Sequence, residues 1–328
     1  MNSAAPRHPS RAFRIGRITA VIALLGLATD AAQSSDRTIR VILPVPPGGA
    51  GDIVARMLIE QVGRAQNQRI VLESRPGAVT MIGTEAVVRA PADGNTLLIN
   101  APFLLIAPHL RKLSFDPLKG LEPICHLVSS PGVIAVNAAS PYRTFADLIN
   151  AVRAKPGELS FASAGPGTTH QIGFEKLRRA ADLDFIYVPY PGGGPAITAV
   201  LGSHVTAILA EYAPLSEHFK SGKLRPLAAT SKARIPSLSE VPTLAETYKD
   251  LEVDFWWGLF APAKTPKAAT AELAQWFTAA MAAPDLKARL IALGFFPAGI
   301  CGPEFAAMLQ KQFDDYGRII GEANIRVE

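Results

Sequence analysis

Three times in this sequence a short apolar run ends in a cluster of glycines and gives way to an amphipathic stretch. The units are VILPVPPGGAGDIVARML over 41–58, FASAGPGTTHQIGFEKL over 161–177 and FIYVPYPGGGPAITAVL over 185–201. Each reads as a strand, a glycine turn and a helix. Asp52 caps the first helix, Thr168 or Thr169 caps the second, and Pro195 stands in the first turn of the third. Repeated strand–helix alternation constrains the fold strongly, because parallel strands need helices on both faces of their sheet.

The alternation extends along the chain. Strands are expected over 38–45, 69–76 and 95–101, with helices over 52–66 and 82–90 between them. A second series places strands at 132–138, 159–164, 184–190, 205–211 and 224–231, and helices at 144–157, 168–181 and 195–203. A long apolar strand over 252–262 then leads into three helices, 268–283, 284–294 and 303–323, which read as a helical finish and not a third domain. With 328 residues, 48% of them hydrophobic and 19% charged, the chain has material for two globular domains.

A glycine turn that opens a helix has three uses: it holds an anion, it positions a catalytic side chain, or it only joins two elements. The first N–H groups of a helix lack partners inside it, the helix dipole adds partial positive charge, and glycine lets a ligand approach the backbone. Such ends accept phosphate, sulfate or carboxylate. Three turns at matching strand ends point to the crevice where α/β folds bind ligands.

The catalytic use finds few partners. The chain has no GxGxxG, no GxxxxGK[ST], no GxSxG and no HExxH, and its six histidines lack metal-ligand spacing, so no cofactor and no metal are expected. His170 opens a helix beside two threonines. It either hydrogen-bonds a ligand or its own loop, or packs between helix and sheet. Tyr190, directly before a glycine turn, is placed for its hydroxyl to face the crevice, whereas Trp256 and Trp257 in FWWGLFAP either line a pocket or pack in the core, and so apolar a run favours the core.

The first 31 residues read as a secretory signal peptide: Arg7, Arg11, Arg14 and Arg17 precede the apolar run ITAVIALLGLA, and small residues allow a cut after Ala31. From a net charge of +5, loss of four arginines and Asp30 leaves +2, which offers no basis for binding nucleic acid. Cys125 and Cys301 either pair in an oxidising compartment or are two separate buried thiols.

Taken in order, PPGGAGDIVARML, ESRPGAVTMIGTEAVVRAPADGNTLL, AKPGELSFASAGPGTTHQIGFEKL, VPYPGGGPAITAVLGSHV, GKLRPLAATSKARIPSLSEVPTLAE and WWGLFAPAKTP resemble the Bug/TctC family, extracytoplasmic solute-binding receptors of tripartite tricarboxylate transporters. The resemblance runs from about residue 38 to the carboxyl end. It implies a periplasmic-binding-protein-like (Venus flytrap) α/β fold: two lobes with parallel-dominated mixed sheets and a cleft between them. Lobe 1 would comprise 36–132 plus 256–328 and lobe 2 133–255, closing at crossovers near 130–134 and 252–258. It implies a monomeric periplasmic receptor, not an enzyme, that captures a small carboxylated ligand and hands it to membrane transporter subunits. The ligand loops would supply Gly48, Gly49 and Asp52; Thr80 and Met81; Ser163, Gly165, Gly167, Thr168, Thr169 and His170; Tyr190, Gly192 and Gly193; and Glu211. The other readings are a secreted α/β enzyme with His170 as base, and an orphan ligand-sensing receptor.

The chain departs from the family pattern in three places. Gly51 stands where Thr or Ser is common, RPGAVTMIG replaces RPGAGGNIG, and Ala210-Glu211 replaces an Asp-Asn pair. Glu211 either disfavours a second carboxylate on the ligand or pairs with a ligand amine, and with Met81 it favours a monocarboxylate or an amphipathic carboxylate over a dicarboxylate.

Overall fold

The computed structural model describes residues 1–2, 38–249, 251–253, 255–323 and 325. The expected signal peptide, past its first two residues, lies outside them. In chain order the first half comprises β1 (Thr38–Leu43), α1 (Ala50–Gln66), β2 (Arg69–Ser74), α2 (Met81–Val88), β3 (Thr96–Asn100), α3 (Phe103–Leu110), α4 (Pro117–Gly120), β4 (Leu121–Ser129), β5 (Gly132–Asn137), α5 (Phe145–Ala154) and β6 (Ser160–Ser163). It continues through α6 (Thr169–Ala181), β7 (Ile186–Pro189), α7 (Gly193–Leu201), β8 (Ala207–Glu211), α8 (Tyr212–Lys220), β9 (Leu224–Ala229), α9 (Leu244–Thr247), β10 (Trp256–Pro262), α10 (Lys267–Ala282), α11 (Pro284–Ala292), β11 (Phe296–Cys301) and α12 (Pro303–Ala323).

The strands form two sheets, one per lobe. The first runs β11-β4-β10-β3-β1-β2 and the second β7-β6-β8-β5-β9. Both sheets are mixed, as expected, with parallel pairing in two of the five strand pairs of the first and two of the four of the second. β1 pairs parallel with β2 and β3, and β6 pairs parallel with β7 and β8. The remaining pairs, β3–β10, β10–β4, β4–β11, β8–β5 and β5–β9, are antiparallel. The physical reason is connectivity: a strand–helix unit returns its next strand parallel, whereas β5 and β10, the first strands after each crossing between the sheets, run against both their neighbours, and β11 closes the edge of the first sheet antiparallel to β4.

Two elements that periodicity leaves unassigned complete the first sheet. β4 contains Pro123, which sits beside a shift in register between β4 and β10, and β11 carries Pro297 on the sheet edge. Bulges and edges are where a strand tolerates proline. Cys125 of β4 and Cys301 of β11 are disulfide-bonded, which decides between the two readings of the cysteines.

Both sheets are covered on both faces. One face of the first packs Val54, Leu58 and Phe277 against Leu97 and Leu259; the other packs Phe305 and Leu309 against Leu98 and Phe260. The second sheet buries Phe161 and Phe174 on one side and Ala196, Val200 and Leu215 on the other. The two connections between the sheets run side by side, where the N–H of Ser130 donates to the carbonyl of Phe255 at 2.7 Å.

Candidate functional site

Each glycine turn takes a conformation that its residues impose. Gly48, Gly165, Gly167 and Gly192 all have positive φ, between +69° and +127°, a region that side-chain-bearing residues avoid. The N-cap of α1 is Gly49 and not Asp52, as the sequence suggested. Asp52 lies in the first turn and folds back, its Oδ2 accepting from the N–H of Gly48 at 3.2 Å and its Oδ1 from Arg56 Nε at 2.9 Å. Thr168 caps α6, its Oγ1 accepting from the N–H of Gln171 at 3.4 Å.

The loop over 163–168 is held by a ring of hydroxyls. The carbonyl of Gly165 accepts from Thr168 Oγ1 and from Tyr187 Oη, each at 2.7 Å. Ser163 Oγ lies 2.7 Å from Tyr187 Oη and accepts from the N–H of Gly165 at 3.2 Å. Burial pushes the Tyr187 phenol up to about 12, so it stays a donor. Tyr187 was not foreseen; its alternation within β7 was the available signal, since it projects from the same strand as the anticipated Tyr190 loop.

These turns surround one cavity of about 480 Å³ between the two lobes. Its lining includes the N-cap residues of five helices: Gly49 of α1, Thr80 of α2, Thr168 of α6, Gly192 of α7 and Glu211 of α8. Of these five, only Thr168 caps its own helix with its side chain; α1, α2, α7 and α8 start without one. No side chain caps four of these first turns, but Met81 and Ile82 of α2 donate to the carbonyls of Ala78 and Gly77, and Tyr212 of α8 donates to that of Pro131, so the N–H groups left for a ligand are chiefly those of α1 and α7. At about 0.3–1 kcal/mol per charge–dipole contact, and up to about 2 when partly buried, they supply part of the roughly 8 kcal/mol of a micromolar anion.

Of the anticipated residues, Gly49, Thr80, Gly165, Thr168, His170, Tyr190, Gly192, Gly193 and Glu211 line the cavity. Gly48, Asp52, Met81, Ser163, Gly167 and Thr169 do not. Met81 lies in the core and not in the cavity lining, for a local reason. As the first residue of α2 it turns into the core with Ile42 and Leu98, because Thr80 before it takes φ +71° and swings the chain. The apolar character expected from Met81 comes instead from Pro44, Pro46, Val79, Phe103, Pro214 and Trp257.

Trp257 was read as core. It is buried, yet it also forms part of the wall, and it explains two departures in the sequence. A Cβ on Gly51 would fall 2.3–2.8 Å from its ring, so the indole fits only against glycine. Its Nε1 donates to Glu211 Oε2 at 3.1 Å, with Ser130 Oγ donating to the same oxygen at 3.4 Å. Burial pushes the Glu211 carboxyl up to about 7, partly offset by these two hydrogen bonds.

His170 is 3% exposed, and its Nδ1 has no partner among the described residues. Its ring lies 4.7 Å from that of Phe255, and burial presses its pKa down to about 3. A ring that resists protonation so strongly is a poor general base near neutral pH. It remains a hydrogen-bonding group at the cavity wall. Among the lining residues there is no lysine or arginine. The jaws meet at the mouth: a Cβ on Gly192 would lie 3.2 Å from Pro46, and one on Gly167 3.1 Å from Leu110.

Residues 54–325 match the TctC family, the tripartite tricarboxylate transporter family receptor. The chain belongs to the TctC family. A relative from Pseudomonas sp. strain P51, a UPF0065 protein in the tcbD–tcbE intergenic region, is 31% identical over 328 residues, covering 96% of this chain and 98% of its own. The structure of the periplasmic binding protein BugD superposes with TM-score 0.84 at 29% identity, over 90% of this chain and 100% of BugD. An R. palustris protein determined with adipate gives TM-score 0.85 at 25% identity, over 89% of this chain and 99% of that protein. The family resemblance and the two-lobe fold expected from the sequence thus both hold, and TctC members are receptors.

Proposed function

We propose that this TctC receptor works in the periplasm, where it captures a small carboxylated ligand in the cleft and delivers it to membrane subunits of a tripartite tricarboxylate-type transporter. The observation that carries this reading is the convergence of four helix N-termini without side-chain caps, those of α1 and α7 above all, on one cavity with no lysine or arginine in its lining. An anion held there is neutralised by backbone dipoles alone. BugD's periplasmic role and the adipate held by the R. palustris protein support the compartment and the ligand class. Gly49, Thr80, Gly165, Thr168, Tyr190, Gly192 and Gly193 meet the carboxylate and its neighbouring atoms, while Phe103 and Trp257 cover an apolar body. The protein acts as a monomer. Its lobes, 36–132 with 256–328 and 133–255, close by rotation about the paired connections at Ser130 and Phe255.

The test is a thermal-shift screen of carboxylic acids against the matching amides. Acids should raise the melting temperature, and the amides, lacking charge for the helix ends, should not. Equal shifts from acid and amide would refute the assignment.

A further inference from the structure

Glu211 is the one acidic group among the lining residues, and the receptor reading leaves it without a task. It is 6% exposed and stands at the end of β8, facing the space where an anionic ligand would sit. A buried carboxylate ordinarily has a cation beside it, since moving a charge from water into a protein costs several kcal/mol. No lysine or arginine lines this cavity. Arg56, on the neighbouring α1, is exposed and engaged with Asp52. The two groups that do reach Glu211, Trp257 Nε1 and Ser130 Oγ, are neutral donors, and both fall on Oε2. Oε1 takes no donor among the described residues. The start of α8 supplies partial positive charge, but a dipole end amounts to about half an elementary charge and falls short of a counterion.

Building on the carboxylate reading above, we infer that the ligand carries a cationic nitrogen as well as its carboxylate, and that Glu211 is the residue that selects it. The carboxylate lies at the open helix ends; the ammonium lies at Glu211 Oε1 and completes the missing ion pair. Such a ligand is an aminocarboxylate with an apolar body that matches Phe103, Val79 and Trp257. A second carboxylate in the same place would set two acids against each other, so dicarboxylates are disfavoured at neutral pH and above.

The experiment is calorimetric titration of the purified protein at pH 8 with matched triplets: 6-aminohexanoate, hexanoate and adipate; shorter and longer members of the same series; α-amino acids with their deamino and dicarboxylic counterparts; and 4-(aminomethyl)benzoate, 4-methylbenzoate and terephthalate. In the best-bound triplet the amino member should bind at least about tenfold tighter than the dicarboxylate. Glu211→Gln, which keeps an acceptor for Trp257, should bring the members of that triplet within about threefold of each other. Glu211→Met, of similar volume, should do the same, and melting curves report whether each variant is folded. Dicarboxylates that bind wild type as tightly as amino members, or an amino preference that survives in a folded Glu211→Gln or Glu211→Met protein, overturn the inference. Binding of plain monoacids with no gain from the ammonium overturns it while leaving the carboxylate reading intact. If no acid in the panel binds, the carboxylate reading falls and this inference with it.

Discussion

The indole N–H of Trp257, on a strand of one lobe, donates to the carboxyl of Glu211, at the end of a strand of the other, over 3.1 Å. Trp257 is seated for this bond by Gly51, whose missing side chain leaves room for the ring. Three residues far apart in sequence thus form one unit: Gly51 admits the indole, the indole reaches across, and Glu211 receives it. The wall of the cavity and the contact between the lobes are the same object.

Gly51→Ala should therefore act at a distance. The new methyl group meets the indole ring, which has to shift and pull away from Glu211. Overpacking of this kind costs about 1–3 kcal/mol. Urea unfolding should show that loss, and Trp257 fluorescence should change together with it. An unchanged midpoint would show that the ring can move freely.

A run of three residues at the cavity edge, Ala78, Val79 and Thr80, has φ of +47°, +52° and +71°. Left-handed backbone at a residue with a side chain costs about 1–2 kcal/mol. Ala78 is exposed, so Ala78→Gly relieves strain without loss of packing. We expect a gain of about 0.5–1 kcal/mol in stability, after the entropy that glycine adds to the unfolded chain, and weaker ligand binding through a looser jaw. A lower unfolding midpoint for Ala78→Gly would contradict this.

Tyr187→Phe removes one donor from the Gly165 carbonyl and the hydroxyl partner of Ser163. A stability loss of about 1 kcal/mol is expected, with several-fold weaker binding by calorimetry as the loop loses its fixed orientation. Ligand affinity equal to wild type would show that the loop is set by Thr168 alone.

The pH dependence of stability separates the buried groups. Glu211, raised from 4.5 to about 7, keeps a proton in the native state that the unfolded chain has lost, so its contribution falls as pH rises from about 4.5 to 7. His170 and His126, lowered from 6.5 to about 3 and about 4, act oppositely: the unfolded chain binds their protons first, and stability rises with pH up to about 6.5. Glu211→Gln removes the opposing slope. Its stability relative to wild type should climb between pH 5 and 7 and level off above, measured as urea midpoints across that range. Parallel curves would mean that Glu211 titrates normally.

The Cys125–Cys301 disulfide joins the edge strand β11 to β4 and closes a loop with a sequence separation of 176 residues. Reduction, or Cys125→Ala with Cys301→Ala, should lower stability by about 2–5 kcal/mol in thermal melts, with ligand affinity preserved because neither cysteine lines the cavity between the lobes. Loss of affinity in a folded double variant would tie the two regions together.

Most of the units of the fold were legible in the chain itself, and nine of the fifteen residues anticipated at the site line the cavity. Strand period, helix period, caps and glycine clusters are local properties, and they determine where β1–α1, β6–α6 and β7–α7 turn and that each turn starts a helix. The regions that stayed illegible are those where local signals conflict: β4 and β11 carry prolines that argue against strands, and the apolar run of α3 has no period. The tertiary structure alone decided that Met81 turns into the core, that Trp257 reaches the cavity, that Tyr187 holds Gly165, that Cys125 meets Cys301, and that Glu211 sits without a protein cation. Each of these depends on residues brought together from distant segments by the packing of two sheets, and a pattern read along one segment carries no information about which side chain will stand opposite.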